Sequence, residues 1–206
     1  MGKGRFEAFS DGVLAIIITI MVLELKVPHG ADVEALRPML PVFLSYVLSF
    51  VIVGIYWNNH HHMLHTVQRV TGSILWANLH LLFWLSLLPF ATGWLGENHF
   101  ATLPVAMYGV VLLCCGLAYK LLQEAIIASQ GERSLLKAAV GADSKGLIPL
   151  AAYSAAILIS RWVPWLSLAL YVGVALLWLV PDRRIERAIA ARDAALLKHS
   201  APPRAD

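Results

Sequence analysis

The stretch Arg5-Phe-Glu-Ala-Phe-Ser-Asp-Gly-Val-Leu-Ala-Ile-Ile-Ile-Thr-Ile-Met-Val-Leu-Glu-Leu25 is a long apolar run that carries acidic residues within it. A helix needs about 20 residues to cross a bilayer core of about 30 Å, and this stretch is of that length. Acidic side chains at membrane depth are costly, so Asp11 and Glu24 are candidates for a functional role. The stretch predicts an unusual membrane-spanning first helix over about 6–26.

The composition of the whole chain extends this interpretation. Hydrophobic residues make up 59% of the 206 positions, and charged residues make up 14%, against about 25% in soluble domains. Long segments without Asp, Glu, Lys or Arg separate the charged positions. They predict an all-α, polytopic membrane protein with six transmembrane helices, over about 6–26, 40–65, 70–95, 102–129, 147–162 and 164–181. Too little chain remains for a soluble catalytic or nucleotide-binding domain.

The distribution of Lys and Arg predicts the orientation of the spans. With the N-terminus inside, the outer loops hold only Lys26, Arg37 and Arg161 of the 16 basic residues. This positive-inside bias predicts that both termini are cytoplasmic. Residues 1–181 then form the membrane region, and 182–206 form a basic amphipathic tail that meets lipid at the inner leaflet. The net charge of +3 is therefore a topology signal, and no nucleic-acid partner is expected.

The first helix carries an apolar stripe when successive residues are placed 100° apart. The stripe consists of Gly12, Val13, Ile16, Thr19, Ile20 and Leu23. Asp11 points elsewhere. Two interpretations remain open, namely ordinary helix packing and the lining of a pore. The hydroxyl of Thr19 either faces that pore or bonds its own helical backbone.

Polar residues near the cytoplasmic ends of the first two helices form a second candidate feature. Ser10 and Asp11 need partners at low dielectric, and Trp57 with the run His60-His61-His62 lies at about the same depth. This group is either a polar clamp between helices or a proton or ion site. His61 and His65 share a helix face, yet no Glu or Cys is near enough to complete a zinc shell, so no metal is expected.

The sequence contains an incomplete enzyme motif and no filter motif. Ser134-Leu-Leu-Lys137 matches a Ser-x-x-Lys pattern, but it lies in a short loop without the other motifs of that enzyme class. The sequence also lacks the Thr-Val-Gly-Tyr-Gly filter of potassium channels. We therefore expect neither an enzyme nor a carbonyl-lined filter.

The first-helix motif R-x-x-x-F-S-D-x-x-x-x-I-x-x-T, read from Arg5 to Thr19, resembles the signature of the TMEM175 family. The second helix, Gly54–His61, and the third, Asn78–Phe90, resemble the corresponding segments of that family. The resemblance implies a potassium-permeable cation channel without a re-entrant filter, formed as a homotetramer in the bacterial inner membrane. It implies no cofactor, only permeant K+ and other monovalent cations.

The resemblance also assigns roles to individual residues. It implies that the first helix lines the pore, with Ile16 as the main constriction, Thr19 as the adjacent hydroxyl, and Ile20 and Leu23 as further layers. It implies a structural polar network that holds this helix. Its members would be Arg5, Ser10, Asp11, Trp57 and either His60 or His61. An apolar ring of this kind would gate by dewetting.

A proton-coupled secondary transporter is the alternative, with Asp11 and the His60–His65 cluster as its proton relay. A transporter needs a substrate site near the bilayer midplane. The intramembrane charges of this sequence cluster at one end instead.

Overall fold

The computed structural model describes residues 2–131, 134–141 and 144–179. These residues form helices joined by turns, and no strand occurs among them. The helices are α1 (Lys3–Leu23), α2 (Leu40–His65), α3 (Gly72–Ser86), α4 (Leu88–Glu97), α5 (Thr102–Gln130), α6 (Leu135–Val140), α7 (Ser144–Ile159) and α8 (Pro164–Leu179). A 3-10 helix, Val33–Met39, precedes α2. The predicted basic tail, 182–206, lies outside the described residues.

Four stretches of the described chain are long and apolar enough to cross a membrane. They are Lys3–Leu23, Val33–His65, Gly72–Glu97 and Thr102–Gln130. The apolar helices Gly146–Ile159 and Pro164–Leu179 are shorter. At a rise of about 1.5 Å per residue, the 16 residues of α8 reach about 24 Å, which is less than the bilayer core of about 30 Å. The described part of the chain is therefore all-helical and has four apolar stretches of membrane-spanning length.

The stretch Gly72–Glu97 is divided at Leu87, whereas the sequence predicts one helix over 70–95. Pro89 has no backbone N–H, and its ring clashes with the carbonyl four residues earlier. The chain therefore makes a turn at Leu87, whose N–H bonds to the carbonyl of Trp84 (3.2 Å). Pro89 then lies in the first turn of α4, where a helix does not need its N–H.

Two glycines allow helices to approach each other closely. A Cβ at Gly96 would lie 2.5 Å from Val42 Cα, so α4 packs directly on the backbone of α2. A Cβ at Gly109 would overlap the hydroxyl of Tyr171, which donates to the carbonyl of Val105 (3.1 Å). A larger side chain at either position would push the helices apart, because packed interiors have no voids to accept it.

α1 and the α7–α8 hairpin lie on different sides of the bundle. α1 packs against α2, α3 and α4, whereas α7 and α8 pack against α5 and against each other, and α8 also packs on α2. The buried residues of α1 recur every three or four positions, as a single helix face requires. They are Phe6, Ser10, Leu14, Ile17 and Met21. The other face of α1 is left uncovered by the described part of this chain.

Candidate functional site

The uncovered face of α1 is the apolar stripe expected from the sequence. Ile16 is 57% exposed, Ile20 is 42% exposed and Leu23 is 76% exposed, whereas the adjacent Ile17 is 2% exposed. Thr19 is exposed among them. A contiguous apolar face of this kind marks contact with lipid or with another protein surface. Val13 packs partly against the core, but the exposed members of the stripe have no packing role within the described part of this subunit.

Thr19 is bonded to its own helical backbone and is also exposed on the stripe. Its Oγ1 donates to the carbonyl of Ile16 (3.0 Å), as threonines in helices often do. A hydroxyl has one hydrogen and two lone pairs, so a bond that uses the hydrogen leaves the lone pairs available. Because Thr19 is exposed on the stripe, its oxygen can still accept from water or coordinate a cation.

A buried chain of hydrogen bonds anchors α1 to two neighbouring helices. Asn78 of α3 lies at its centre and is 1% exposed. Asn78 Oδ1 lies 2.7 Å from Nε2 of His60 on α2, and Asn78 Nδ2 donates to Ser10 Oγ (2.9 Å). Ser10 Oγ in turn donates to the carbonyl of Phe6 (3.1 Å). We call His60, Asn78 and Ser10 the buried anchor.

The direction of the bonds in the buried anchor follows from its chemistry. An amide oxygen can only accept, so His60 donates from Nε2 and each later bond runs toward α1. Nδ1 of His60 is buried and has no partner among the described residues. An amide group does not release or take up protons as an acid or a base does. Asn78 therefore cannot pass a proton along this series of hydrogen bonds. The arrangement fits a mechanical link between α2, α3 and α1.

Asp11 lies beside this anchor at a more exposed position. Its Oδ1 accepts from Nε1 of Trp57, at 3.0 Å, and Trp57 is 46% exposed. Lys3 Nζ, at the start of α1, donates to the carbonyl of His65 at the end of α2 (3.0 Å). Arg5 is exposed and forms none of the hydrogen bonds or ion pairs found among the described residues. The structure therefore brings Asp11 to α2 but leaves Arg5 apart.

The histidines of α2 divide into two environments. His60 is 1% exposed and belongs to the buried anchor, whereas His61 is exposed and its ring lies 6.1 Å from that of Trp57. Nε2 of His61 lies 3.1 Å from Nε2 of His65, so these two imidazoles share a hydrogen bond. No group of three His, Cys, Asp or Glu side chains that could hold a metal ion occurs in the ranges described.

A groove of about 620 Å³ runs between the apolar stripe and α4. Glu24 and Glu97 line it, and Glu97 forms an ion pair with Lys26. The hydrogen bond and the negative charge of Glu97 raise the pKa of Lys26 above its ordinary value. The carboxylate of Glu24 lies against α4 at Gly93, where a Cβ would be 3.0 Å from Oε2. Acidic groups thus flank the groove at the C-terminal end of α1.

Asn78 is the member of the site to which the sequence assigned no role. A signal was present, since Asn78 is an amide in the middle of the apolar helix Gly72–Ser86. A polar group in such a position needs a partner, but the sequence does not say which helix supplies it. The partners, Ser10 and His60, are 68 and 18 positions away along the chain.

The fold and the site define an all-helical membrane protein whose first helix is anchored by polar contacts and exposes an apolar stripe. Residues 5–89 match the family model described as endosomal/lysosomal potassium channel TMEM175. The structure resembles the crystal structure of a lysosomal potassium-selective channel TMEM175 homologue from Chamaesiphon minutus, with a TM-score of 0.76 and 28% identity. The match covers 87% of this chain and 97% of that one.

Sequence relatives agree with this match. A protein named as a potassium channel from Chryseobacterium sp. is 57% identical over 189 residues, which are 92% of this chain and 98% of the relative. The human endosomal/lysosomal proton channel TMEM175 is 36% identical over 103 residues, which are 44% of this chain and 20% of that protein. This chain belongs to the TMEM175 family. The family and these relatives are ion channels, not enzymes.

Proposed function

We propose that this chain is one subunit of a potassium-permeable cation channel whose pore is lined by α1. The observation that carries the proposal is the uncovered stripe of Ile16, Thr19, Ile20 and Leu23, whose opposite face is packed within the subunit. The names of the bacterial relatives, which are potassium channels, support the permeant ion.

A hydrophobic gate follows from the chemistry of this stripe. When several copies of α1 surround one axis, Ile16 forms an apolar ring that water leaves when the ring is narrow. A cation cannot pass a dry constriction, because it would lose its hydration shell without replacement. Opening then requires the ring to widen or rotate, with Ile20 and Leu23 forming further layers towards the far end of α1.

Selectivity in such a pore is modest, because no ring of backbone carbonyls replaces the hydration shell. Thr19 is the hydroxyl on the stripe, and its free lone pairs can replace part of that shell. K+ holds its water less tightly than Na+, so it gains more from a partial replacement. Glu24, at the C-terminal end of α1, supplies negative charge that raises the cation concentration near the outer mouth.

The polar contacts hold α1 in the orientation that the gate requires. The buried anchor joins α1 to α2 and α3, and the bond between Asp11 and Trp57 adds a second tie to α2. Arg5 is exposed at the start of α1, and its role at the inner mouth depends on contacts with other copies. We assign His60, rather than His61, to the buried part of the network.

We propose six spans in the bacterial inner membrane, with both termini in the cytoplasm and a basic cytoplasmic tail over 182–206. The short helices α7 and α8 are the fifth and sixth spans, and Trp162 and Arg161 at their junction reach the interface. A homotetramer is the expected assembly. The groove between α1 and α4 offers a surface for the neighbouring copy.

Single-channel recording of the purified protein in planar bilayers tests the proposal. We expect discrete current steps, and a reversal potential that shifts toward the K+ equilibrium potential in a K+/Na+ gradient. Transport that shows no steps and that requires a proton gradient would favour the transporter alternative. Native mass spectrometry in detergent measures the number of subunits separately.

A further inference from the structure

A cavity of about 90 Å³ opens between α2, α5, α7 and α8, away from the exposed stripe of α1. Its wall is mostly apolar and aromatic, with Ile55, Tyr153 and Trp178 among the lining residues. Gly116 helps to keep the space open, since a Cβ there would lie 2.8 Å from Leu150 Cδ2. The volume holds about three groups of the size of a water or a methylene. A short segment of an acyl chain fits this space.

Lys120 is the one cationic side chain among the described residues that line this cavity. Lys120 of α5 is half-buried and forms none of the hydrogen bonds or ion pairs found among the described residues. No Asp or Glu occurs among the lining residues that the structure describes. Glu124, one turn further along α5, is exposed and forms no ion pair with Lys120. An ammonium group beside an apolar wall is stabilised by an anion, because burial removes part of its hydration.

The cavity lies toward the end of the bundle where α1 begins. Lys3 bonds to the backbone at the end of α2, and Gln130 at the end of α5 donates to the carbonyl of Thr66 (3.0 Å). Lys120 and Asn59 both lie in the second half of their helices, toward this same end. In the proposed topology this is the cytoplasmic leaflet. Basic pockets between transmembrane helices on that side bind anionic lipid headgroups.

We propose that this cavity binds one anionic phospholipid, with its phosphate on Lys120 and the first part of an acyl chain against Ile55, Tyr153 and Trp178. The side of the membrane rests on the proposed channel topology. The cavity and its lysine do not depend on that topology. Because binding is measured without conduction, a failure of this proposal is distinguishable from a failure of the proposed pore.

Native mass spectrometry of the full chain in detergent, with equal amounts of phosphatidylglycerol and phosphatidylcholine, tests the headgroup contact. We expect the wild type to retain several-fold more phosphatidylglycerol. Lys120→Gln should lose this preference, and Lys120→Arg should keep it. Lys137→Gln removes the same charge from an exposed position of α6 and should also keep it. An unchanged preference in Lys120→Gln overturns the proposal.

A second measurement tests the position of the acyl chain and does not require Lys120→Gln to fold. Phosphatidylglycerol with brominated chains should quench the part of the fluorescence that Trp178→Phe removes. Ile55→Phe narrows the cavity while leaving the lysine in place, and it should reduce lipid retention several-fold. If Trp178 is not quenched, or if Ile55→Phe retains lipid as the wild type does, the lipid lies outside this cavity and the proposal is wrong.

Discussion

Ser10 and Ile16 lie on different faces of α1 and are stabilised by different means. Ser10 is fully buried and belongs to hydrogen bonds that reach α2 and α3, whereas Ile16 is 57% exposed on the bare stripe. A buried polar group is tolerated only when it is bonded, which requires specific partners within the subunit. An apolar face requires only a cover of suitable shape, and another copy of the chain can supply it. The anchored face therefore fixes the helix, and the bare face remains available for the pore.

The first test of this comparison removes the centre of the buried anchor with Asn78→Ala. His60 then loses its acceptor and Ser10 loses its donor, and each unsatisfied buried group costs about 1–3 kcal/mol. We expect little assembled protein, or an unfolding midpoint lower by about 5 °C or more. Size-exclusion chromatography and thermal unfolding in detergent measure both effects.

The matched control for that variant is Asn98→Ala. Asn98 is exposed, and among the described residues its side chain bonds only to the carbonyl of Trp94 one turn earlier, so the loss of this side chain should change the midpoint little. If Asn78→Ala and Asn98→Ala were equally stable, the buried chain of hydrogen bonds would not be the anchor.

The second test changes the bare face with Ile16→Asn. In the proposed homotetramer, four amides in place of an apolar ring would make hydration of the proposed constriction easier. A barrier lower by about 1.4 kcal/mol raises the leak of K+ about tenfold, and we expect a rise of this order without loss of assembly. A K+ flux assay in liposomes measures the leak.

The adjacent Ile17→Asn is the control for this second test, because Ile17 is 2% exposed on the packed face. It should reduce stability rather than raise the leak. An unchanged flux in Ile16→Asn would assign the constriction to Ile20 or Leu23 instead. Equal effects of Ile16→Asn and Ile17→Asn would contradict the distinction between the two faces of α1.

The third test concerns the edge between the faces, where Asp11 bonds to Trp57. Because this pair is partly exposed, we expect Asp11→Ala to destabilise the assembly by about 1 kcal/mol, less than Asn78→Ala does. Conduction of the channels that still form should change less than their number. A double-mutant cycle that combines Asp11→Ala with Trp57→Phe should give a coupling free energy close to the stability lost in Asp11→Ala alone. Stable oligomers with altered selectivity alone would contradict the clamp assignment of Asp11.

The smallest expected effect comes from Thr19→Val. This change keeps the shape of the side chain on the bare face and removes the hydroxyl oxygen. The variant should assemble and conduct, but its preference for K+ over Na+ should fall by a small factor. Reversal potentials under bi-ionic conditions measure this preference. Thr19→Ser retains the hydroxyl and should behave as the wild type does. An identical reversal potential for Thr19→Val and the wild type would limit Thr19 to its bond with the carbonyl of Ile16.

Much of the fold was predictable because a membrane-spanning helix requires a long apolar segment, and such segments are visible in the sequence. Apolar runs of spanning length and the scarcity of charge indicated an all-helical membrane protein, and four such helices are present in the described ranges. The division at Leu87 was not predicted, because the apolar run over 70–95 reads as one helix although it contains Pro89, and prolines are tolerated in membrane-spanning helices. The stripe on α1 followed from helical periodicity alone.

The sequence by itself determined the class of this protein, the periodic stripe of α1 and the motif that resembles the TMEM175 family. Each of these depends on residue type and on local spacing, which the chain carries without folding. Only the tertiary structure decided that His60 rather than His61 is buried, that Asn78 joins it to Ser10, and that Arg5 stays outside. The physical reason is that a hydrogen bond depends on the distance and direction between side chains from different helices, and these are fixed only when the helices pack.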